Sequence, residues 1–488
     1  MGKNDQITLL AQRWRITFLW CGAGFGVLAI LFLLLWPTLV GKICVTCIAI
    51  LILALILLFQ WNGVIVLKQV IPLLLTVSIL FPYIRLPGPI PDVRPEFIIA
   101  LIAWFFIILS SASTGQPIHL RYCNVYKWFA IFAIVIMLSI TYIALVNNQM
   151  PIWRDFWEIV KLLLYFIIFV LVSSQRITHN DLRRYYKLAL IVFLISACFG
   201  FLQYINFAGI NELISPYYAP TQIRGLLVHG RITGTTPNPN EFGALMVLAA
   251  SLALSGALVY REWKLRLFCW FSLLIYGIAL LLTLSRTSLV CLFIASIIII
   301  FLFYKEKGLK GNFKRLFPLV LLGFLIIIVL LQVLPEKALA RFSELLYFTE
   351  APSWQARVGK WKTHYDIWLG SPLFGWGPGK AEMSTIVDNE WLLILRRYGL
   401  FGLISFISLF GCLYNGLFRI GRDNPETSVI ALTVALRGTL ISYSLYMMLA
   451  SVYHSMQLMP ILLLLLGLAY SQWRQHLEVN KTLETASP

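Results

Sequence analysis

Long runs of apolar residues alternate with short polar stretches along almost the whole chain. Each run is about long enough to cross the ~30 Å hydrocarbon core of a bilayer as an α-helix, whereas a closed barrel needs short segments of alternating polarity. The pattern therefore predicts an all-α polytopic membrane protein with about 12–14 transmembrane helices. The runs occupy residues 16–36, 43–59, 68–84, 95–113, 126–146, 156–175, 185–206, 241–260, 265–284, 287–304, 314–334, 392–418, 427–450 and 458–473.

The composition supports this interpretation, since 60% of the 488 residues are apolar and only 12% are charged. A soluble protein of this length needs more polar surface to cover its core. The net charge of +18 would indicate nucleic acid in a soluble protein, but many of the basic residues lie in short loops between apolar runs. Membrane orientation and anionic lipid account for basic loops, so we expect the lipid bilayer as a partner and no nucleic acid.

The basic loops also give the predicted helices a direction. If the N-terminus is cytoplasmic, the basic clusters in the second half of the chain all fall on the cytoplasmic side, in agreement with the positive-inside rule. The C-terminus is then cytoplasmic as well, and the polar tail after Trp473 is expected to be loose. Those clusters lie at 176–184, 261–266, 305–315 and 419–422 and at Arg474.

This topology sends two long segments to the opposite side of the membrane, and it predicts four regions. They are N-terminal transmembrane helices in 1–184, a catalytic transmembrane core in 185–418 with outward loops at 207–240 and 335–391, C-terminal transmembrane helices in 419–473, and a cytoplasmic tail in 474–488.

Basic residues in the two outward loops run against the orientation rule, so they indicate an anionic ligand on that side. The first loop contains Arg224 and Arg231, and a guanidinium group suits a phosphate because it donates two parallel hydrogen bonds. Asn240 follows and is placed to cap the next helix. The alternative for this loop is a rigid turn and a helix cap without a ligand.

The second loop contains a predicted amphipathic helix. Arg357, Lys360 and His364 form a basic stripe at helical spacing beside an apolar one. A Trp-rich helix of this kind lies in the membrane interface, with its basic edge facing head groups or a lipid-linked phosphate. Simple docking on a surface is the alternative. The apolar stripe consists of Trp354, Val358, Trp361, Tyr365 and Trp368.

Several charged residues stand at or inside the predicted helices. Asp388 precedes an apolar run, and it is either a helix cap, with Glu390 in the first turn, or a general base near the arginines. Arg286 lies at the turn between two runs. Arg437 lies inside a run, where an arginine is costly and is usually paired or functional. Glu158 and Lys161 are expected to pair with each other at i,i+3, and they complete this set of charged residues.

Several common kinds of chemistry lack support in the sequence. The eight cysteines form no disulfide framework, and most of them lie inside apolar runs. The chain has no Walker A, HExxH or GxSxG motif, which argues against ATP hydrolysis, zinc protease chemistry and hydrolase-elbow chemistry.

Taken in order, four segments resemble the O-antigen ligase and O-antigen polymerase (Wzy-type) superfamily of bacterial glycan enzymes, and the resemblance covers roughly 190–415. The segments are Gly230-Arg231 with Gly234, Pro239-Asn240 and Gly243-Ala244; Leu284-Ser285-Arg286-Thr287-Ser288; Arg357 with Trp361, Trp368 and the run from Pro372 to Gly379; and Asp388-Asn389-Glu390-Trp391-Leu392 with the run from Arg397 to Gly402.

The resemblance implies a GT-C-type glycosyltransferase of the bacterial inner membrane that needs no metal and no cofactor. It implies a donor glycan linked through diphosphate to undecaprenol, an active site at the periplasmic face, and a chain-length regulator and a flippase as candidate partners. The implied catalytic residues are Asp388, Arg286 and Arg231; the implied diphosphate-binding residues are Arg224, Arg357, Lys360 and His364; and the implied supporting residues are Asn240, Asn389, Glu390 and Arg437.

One position departs from the ligase pattern and bears on the choice between a ligase and a polymerase. Lipid A-core ligases typically place a histidine immediately before the asparagine of the fourth segment, and here that position is Asp388. This favours a polymerase of exopolysaccharide, capsule or O-antigen repeats, with Asp388 as the base. The alternatives are a ligase that transfers a finished glycan to lipid A-core or another acceptor, and a transporter.

Overall fold

The computed structural model describes residues 67–84, 92–114, 123–146, 150–175, 177–306, 352–380 and 387–486. The chain divides into two compact units, one formed by Met1–Leu74 and Tyr83–Ile118 and the other by Leu75–Pro82 and His119–Pro488. The predicted runs at 16–36, 43–59 and 314–334 lie outside the described residues. The other predicted runs each coincide with a described helix.

The first unit contains α2 (Pro95–Thr114) and the first part of α1 (Leu67–Leu80). Ile84 and Val93 form an antiparallel bridge just before α2. Arg94 and Glu96 are fully buried there and pair at 2.9 Å, which satisfies two charges that would otherwise be costly to bury.

The second unit carries the other long helices. They are α3 (Asn124–Val146), α4 (Trp153–Ser173), α5 (His179–Tyr204), α9 (Pro239–Val259), α10 (Trp263–Leu282), α11 (Arg286–Glu306), α12 (Pro352–Leu369), α13 (Glu390–Asp423), α14 (Thr427–Tyr446) and α15 (Leu458–Ala486). Between α5 and α9 lie a 3₁₀ turn (Phe207–Gly209) and the short helices α6 (Ile210–Leu213), α7 (Ser215–Tyr218) and α8 (Ile223–His229).

The all-α membrane architecture predicted from the sequence is confirmed for the part of the chain that the structure describes. Within that part, eight helices are long and apolar enough to cross a membrane, and no strand is formed. The predicted helix of the second outward loop is present as α12, and it ends at Leu369, just before Gly370. Its burial does not follow the two predicted stripes, because Val358 and Tyr365 of the apolar stripe are exposed and His364 of the basic stripe is buried.

The centre of the second unit is the pair α9 and α14. In the most apolar 18-residue stretch of each helix, 94% of the residues of α9 and 78% of those of α14 are buried, so protein surrounds both helices. Side chains on one helix bond to backbone carbonyls of the other: Ser255 reaches Ala431 at 2.7 Å and Tyr443 reaches Ala244 at 2.7 Å. These bonds fix the two helices in register.

Small residues let a third helix approach α9 closely. A Cβ atom at Gly243 would lie 2.3 Å from the Ser288 hydroxyl of α11, so only glycine fits at this contact. Gly243 and Ser288 belong to the first and second segments of the family resemblance. The contact therefore packs two segments that are separate in sequence against each other.

Other helices of the second unit pack against protein on one side and expose the other. Only 33% of the residues in the most apolar 18-residue stretch of α3 are buried, and the same share is buried in α11. Their exposed side chains are large and apolar, as a helix surface in contact with lipid requires. At the C-terminus, α15 continues to Ala486, and the expectation that the segment after Trp473 is loose stays a prediction. The polar tail extends the last helix because no glycine or proline interrupts it before Pro488.

Candidate functional site

The candidate site begins at the segment 230–238 that leads into α9. Arg231 donates from Nε to the Thr283 carbonyl at 3.0 Å and from Nη2 to the Asn240 side chain at 3.2 Å. It therefore joins the start of α9 to the turn between α10 and α11. Asn240 has a second role, because its carbonyl accepts the Tyr446 hydroxyl of α14 at 2.8 Å.

The predicted helix cap in this segment is wrong by two residues. The cap of α9 is Asn238, whose side chain accepts from the Glu241 backbone at 2.9 Å and donates to the Glu241 carboxylate at 2.6 Å. Pro239 occupies the first helical position, where its missing N–H costs nothing. Asn240 lies inside the first turn, so its side chain is available to Arg231.

Arg286 is the first residue of α11, at the turn where the sequence placed it. The turn is strained, since Leu284 has a φ of 53°, a value that a non-glycine residue rarely adopts. Ser285 and Ser288 close the turn with a hydroxyl–hydroxyl contact of 2.8 Å. The Arg231 contact with Thr283 places the two arginines around the same turn.

The helix α12 brings one basic side chain to Asp388. Arg357 Nε lies 3.5 Å from the Asp388 carboxylate, and both side chains are partly exposed. Lys360 is exposed on the same helix. Asp388 is therefore an accessible carboxylate beside a cation, as the sequence predicted, and its role as a base stays a prediction.

His364 differs from the other two members of the basic stripe. It is buried, and its Nδ1 accepts a hydrogen bond from Arg396 at 2.9 Å. Burial, together with the cations Arg396 and Lys360, lowers the pKa of His364 to about 4. A neutral, buried imidazole is an acceptor for Arg396 and is a poor ligand for diphosphate.

The start of α13 is organised by Asn389 and Glu390 and not by Asp388. Asn389 caps the helix, with its side chain accepting from the Leu392 backbone at 3.0 Å, so the cap suggested for Asp388 is wrong. Glu390 is fully buried and accepts from the backbone of Val452 and Tyr453 and from His454 Nδ1. This carboxylate therefore anchors the segment 447–457 between α14 and α15.

A break in α13 joins the third and fourth segments of the resemblance. Gly399 has a φ of 62° and a ψ of −163°, which interrupts the helix after Tyr398. The Gly/Pro-rich turn at 371–377 satisfies the freed backbone groups: Trp376 N–H donates to the Arg396 carbonyl and Leu400 N–H donates to the Pro372 carbonyl, each at 2.9 Å. A membrane helix can be broken only where such partners replace its own bonds.

The largest group of charges in the site was not predicted from the sequence. The predicted pair Glu158–Lys161 is confirmed at 2.5 Å, but the Glu158 carboxylate also contacts three residues from distant segments. Lys380 lies at 2.8 Å, Arg397 at 3.5 Å and His454 at 3.6 Å. We call Glu158, Lys161, Lys380, Glu390, Arg397 and His454 the Glu158 cluster. The signals for it in the sequence were the pair Glu158–Lys161 inside an apolar run and His454 in the short linker between two other runs.

Two predicted site residues lie apart from these contacts. Arg224 is exposed on the short helix α8. Arg437 is buried on α14, where its guanidinium lies 5.3 Å from the Tyr414 ring centroid and 5.1 Å from that of Phe418. It is about 14 Å along the helix from Tyr446. The aromatic faces of α13 account for Arg437, and its supporting role stays a prediction.

The remaining polar residues connect the arginine turn with the Glu158 cluster. Ser455 donates to the Glu241 carboxylate, and Ser455 directly follows His454 in the chain. Glu390 lies two residues after Asp388. Cationic side chains and one accessible carboxylate therefore meet where the loops of the second unit converge. Among the residues that the structure describes, no three His, Cys, Asp or Glu side chains group as they would around a metal ion.

These features define a polytopic α-helical membrane protein with a charged site among its loops. Residues 271–407 match the family model described as Wzy_C, O-antigen ligase, which supports the resemblance to the O-antigen ligase and O-antigen polymerase superfamily. The match includes Arg286, Asp388 and the break at Gly399, whereas Arg231 precedes it. A search of curated proteins gives no match. The family supports a function of the O-antigen ligase or polymerase type.

Proposed function

We propose that the protein is a polysaccharide polymerase that uses an undecaprenyl-diphosphate-linked glycan as its donor. The observation that carries the proposal is the accessible pair of Arg357 and Asp388 inside the matched family segment. Arg286, also in that segment, and Arg231 stand at the turn between α10 and α11 and supply further positive charge. The product would be exopolysaccharide, capsule or O-antigen.

The proposed reaction is a single displacement at the anomeric carbon of the donor. The acceptor hydroxyl oxygen forms a bond to that carbon as the bond to the diphosphate oxygen breaks. The hydroxyl proton passes to Asp388, and undecaprenyl diphosphate leaves with the bonding electrons. Arg231, Arg286 and Arg357 stabilise the charge that develops on the leaving group, with Arg224 and Lys360 as further diphosphate contacts. The proposed reaction needs no metal.

The carboxylate at position 388 favours polymerisation over ligation. In lipid A-core ligases a histidine typically stands at this position, and the partly exposed Asp388 replaces it here. A ligase that transfers a finished glycan to lipid A-core or another acceptor is the second candidate. The transporter alternative has no support in the family match.

The proposal places the protein in the bacterial inner membrane, with both termini cytoplasmic and the site at the periplasmic face. The donor reaches that face only after it has crossed the membrane, so a flippase would supply it and a chain-length regulator would limit the product. An alkaline phosphatase reporter inserted at residue 370 should be active, and one fused after Pro488 should be inactive. The reverse pattern would overturn the orientation.

The direct test incubates the purified protein with undecaprenyl-diphosphate-linked repeat units in the absence of added metal. A ladder of longer lipid-linked glycans supports a polymerase. Transfer only to lipid A-core supports the ligase. Failure to transfer to any acceptor, together with solute uptake into vesicles, would overturn both enzymatic functions.

The residue assignment is tested by Asp388→Asn and Arg286→Ala, each of which should abolish elongation without lowering the amount of protein in the membrane. Asp423→Asn and Arg422→Ala are matched controls, since they remove the same charges from an exposed pair at the other end of α13. Full activity in both site variants would remove Asp388 and Arg286 from the mechanism.

A further inference from the structure

The Glu158 cluster has a buried base and a more accessible edge. The side chains of Glu158 and Lys161 are 3% and 4% exposed, and that of Glu390 is 0% exposed. The more accessible members are Arg397 at 11%, His454 at 15% and Lys380 at 20%. The edge that a ligand can reach is therefore formed by nitrogen atoms, with the carboxylates beneath it.

His454 is a neutral member of the cluster. Its Nδ1 faces the Glu390 carboxylate and its Nε2 lies 2.7 Å from Arg397 Nη1. Because a guanidinium can only donate, Nε2 is the acceptor and the proton lies on Nδ1. Burial lowers the pKa of His454, which agrees with the neutral form.

Three cationic side chains of the cluster share one carboxylate. Glu390 is committed to backbone donors and to His454, so Glu158 is the carboxylate that contacts the side chains of Lys161, Lys380 and Arg397. An ammonium has three N–H donors and a guanidinium has five, so the cations that meet at Glu158 keep donors that a second anion can use.

Both accessible cations are held in place before a ligand arrives. The backbone N–H of Lys380 donates to Asp155 of α4 at 3.0 Å, while its ammonium contacts Glu158. Arg397 lies on the last turn before the break at Gly399 and is oriented by His454 and Glu158. Positioning of this kind lowers the entropic cost of binding an anion.

We propose that Lys380 and Arg397, positioned by Glu158 and His454, bind the diphosphate of the lipid-linked donor. This inference rests on the proposed function. The ligand class follows from the chemistry of two adjacent cations that meet over one carboxylate, since a diphosphate presents several charged oxygens to such a pair. Glu390 of the cluster lies two residues after Asp388 in the chain.

The test uses undecaprenyl diphosphate, the product without its glycan, as an inhibitor and as a directly titrated ligand of the purified full-length protein. Lys380→Gln should raise its inhibition constant by about tenfold, because a charge-assisted hydrogen bond is lost. Glu158→Gln should lower the constant by about threefold or more, because the carboxylate that competes for Lys380 and Arg397 becomes neutral. The same variant should lower the turnover number, since both cations lose their orientation.

The matched control is Lys362→Gln, which removes the same charge from an exposed position on α12 and should leave the inhibition constant unchanged. A purely structural role for the cluster would weaken inhibition in both cluster variants. That outcome, or an unchanged constant in Lys380→Gln, would overturn the inference. A third outcome would also overturn it. If Lys380→Gln raised the KM for the glycan-linked donor but left the inhibition constant of undecaprenyl diphosphate unchanged, the anion that Lys380 binds would lie in the glycan.

Two measurements separate this inference from the proposed function. Thermal unfolding of each variant in detergent checks that it is folded. Direct titration with undecaprenyl diphosphate needs no turnover. Binding that is tighter in Glu158→Gln and weaker in Lys380→Gln than in the wild type would support the subsite even if the wild-type protein showed no transfer. The absence of transfer would count against the polymerase alone.

Discussion

Arg231 and Arg224 were grouped by the sequence as outward arginines, but their surroundings differ. Arg231 donates to Thr283 and Asn240 and so connects two helix ends, while Arg224 is exposed on α8. A guanidinium that spans two acceptors cannot be replaced by a single ammonium group. Arg231 therefore contributes to stability as well as to the proposed chemistry.

Replacing Arg231 by lysine should destabilise the protein by about 2 kcal/mol, because two charge-assisted hydrogen bonds cannot both be kept. Thermal unfolding in detergent measures this effect. Arg224→Lys is the control, and it should leave the unfolding temperature unchanged. Equal unfolding temperatures for both variants would show that the Arg231 contacts do not stabilise the turn.

Lowering the pH should loosen the contact between α12 and α13 through His364. Its pKa is about 4 in the folded protein and near the ordinary value of 6.5 when unfolded, so the unfolded form binds more protons between these values. Stability is therefore fully present above pH 6.5 and is lost as the pH falls towards 4. Hydrogen exchange of α12 should accelerate over this range in the wild type and much less in His364→Gln. A rate independent of pH in the wild type would contradict the linkage.

The residue types at the site were predictable from the sequence, but their partners were not. Local spacing gave the helix α12 and the pair Glu158–Lys161 correctly. It missed that His364 faces Arg396 and that the cap of α9 is Asn238, two residues before Asn240, because tertiary packing decides both contacts. Side chains at the ends of helices respond to tertiary contacts that composition does not record.

At the scale of elements, the break in α13 is the feature with the strictest steric requirement. A Cβ atom at Gly399 would lie 2.1 Å from the Leu373 carbonyl oxygen, and one at Gly375 would lie 2.5 Å from the Arg397 carbonyl. Both glycines have positive φ angles. The turn and the broken helix therefore fit together only when both positions lack a side chain.

Gly399→Ala should destabilise the protein by about 2 kcal/mol or more and should abolish transfer, since the φ angle and the Leu373 contact both exclude a methyl group. Gly411→Ala is the matched control on the same helix, because nothing lies within 4 Å of its Cβ position. Protein yield and unfolding temperature should be unchanged in the control. A stable and active Gly399→Ala variant would mean that the break is not required.

The sequence could not predict this break. Gly399 lies inside an apolar run that has the length of a membrane span, and a single glycine is common in such helices. The break is visible only when the carbonyl and amide groups of residues 372–376 are placed beside it. Two segments that were each weak indications of the family become one structural unit once that contact is known.

For the whole molecule, the apolar pattern was sufficient to predict the helical membrane architecture. Each span must separately match the thickness of the hydrocarbon core, so each one can be recognised from its own sequence. The Glu158 cluster is a different case. It draws on α4, on the loop before α13, on α13 itself and on the linker before α15. No window of sequence contains these residues together, so only the packing of the second unit reveals them.

The unequal shielding of α9 and α11 has a consequence for how the bilayer acts on the enzyme. Protein encloses α9, whereas α11, which begins at Arg286, exposes large apolar side chains that include Phe293 and Phe301. A thinner or thicker membrane acts more on the exposed helix than on the enclosed one, and it strains the contacts that join them, such as the bond from Arg231 to Thr283 and the fit of Gly243 against Ser288. We therefore expect the rate of the proposed transfer in nanodiscs to pass through a maximum as lipid acyl length increases, and a flat profile would show that these contacts hold both helices in place. A maximum would mean that the surrounding lipid tunes the position of the arginines proposed to bind the donor.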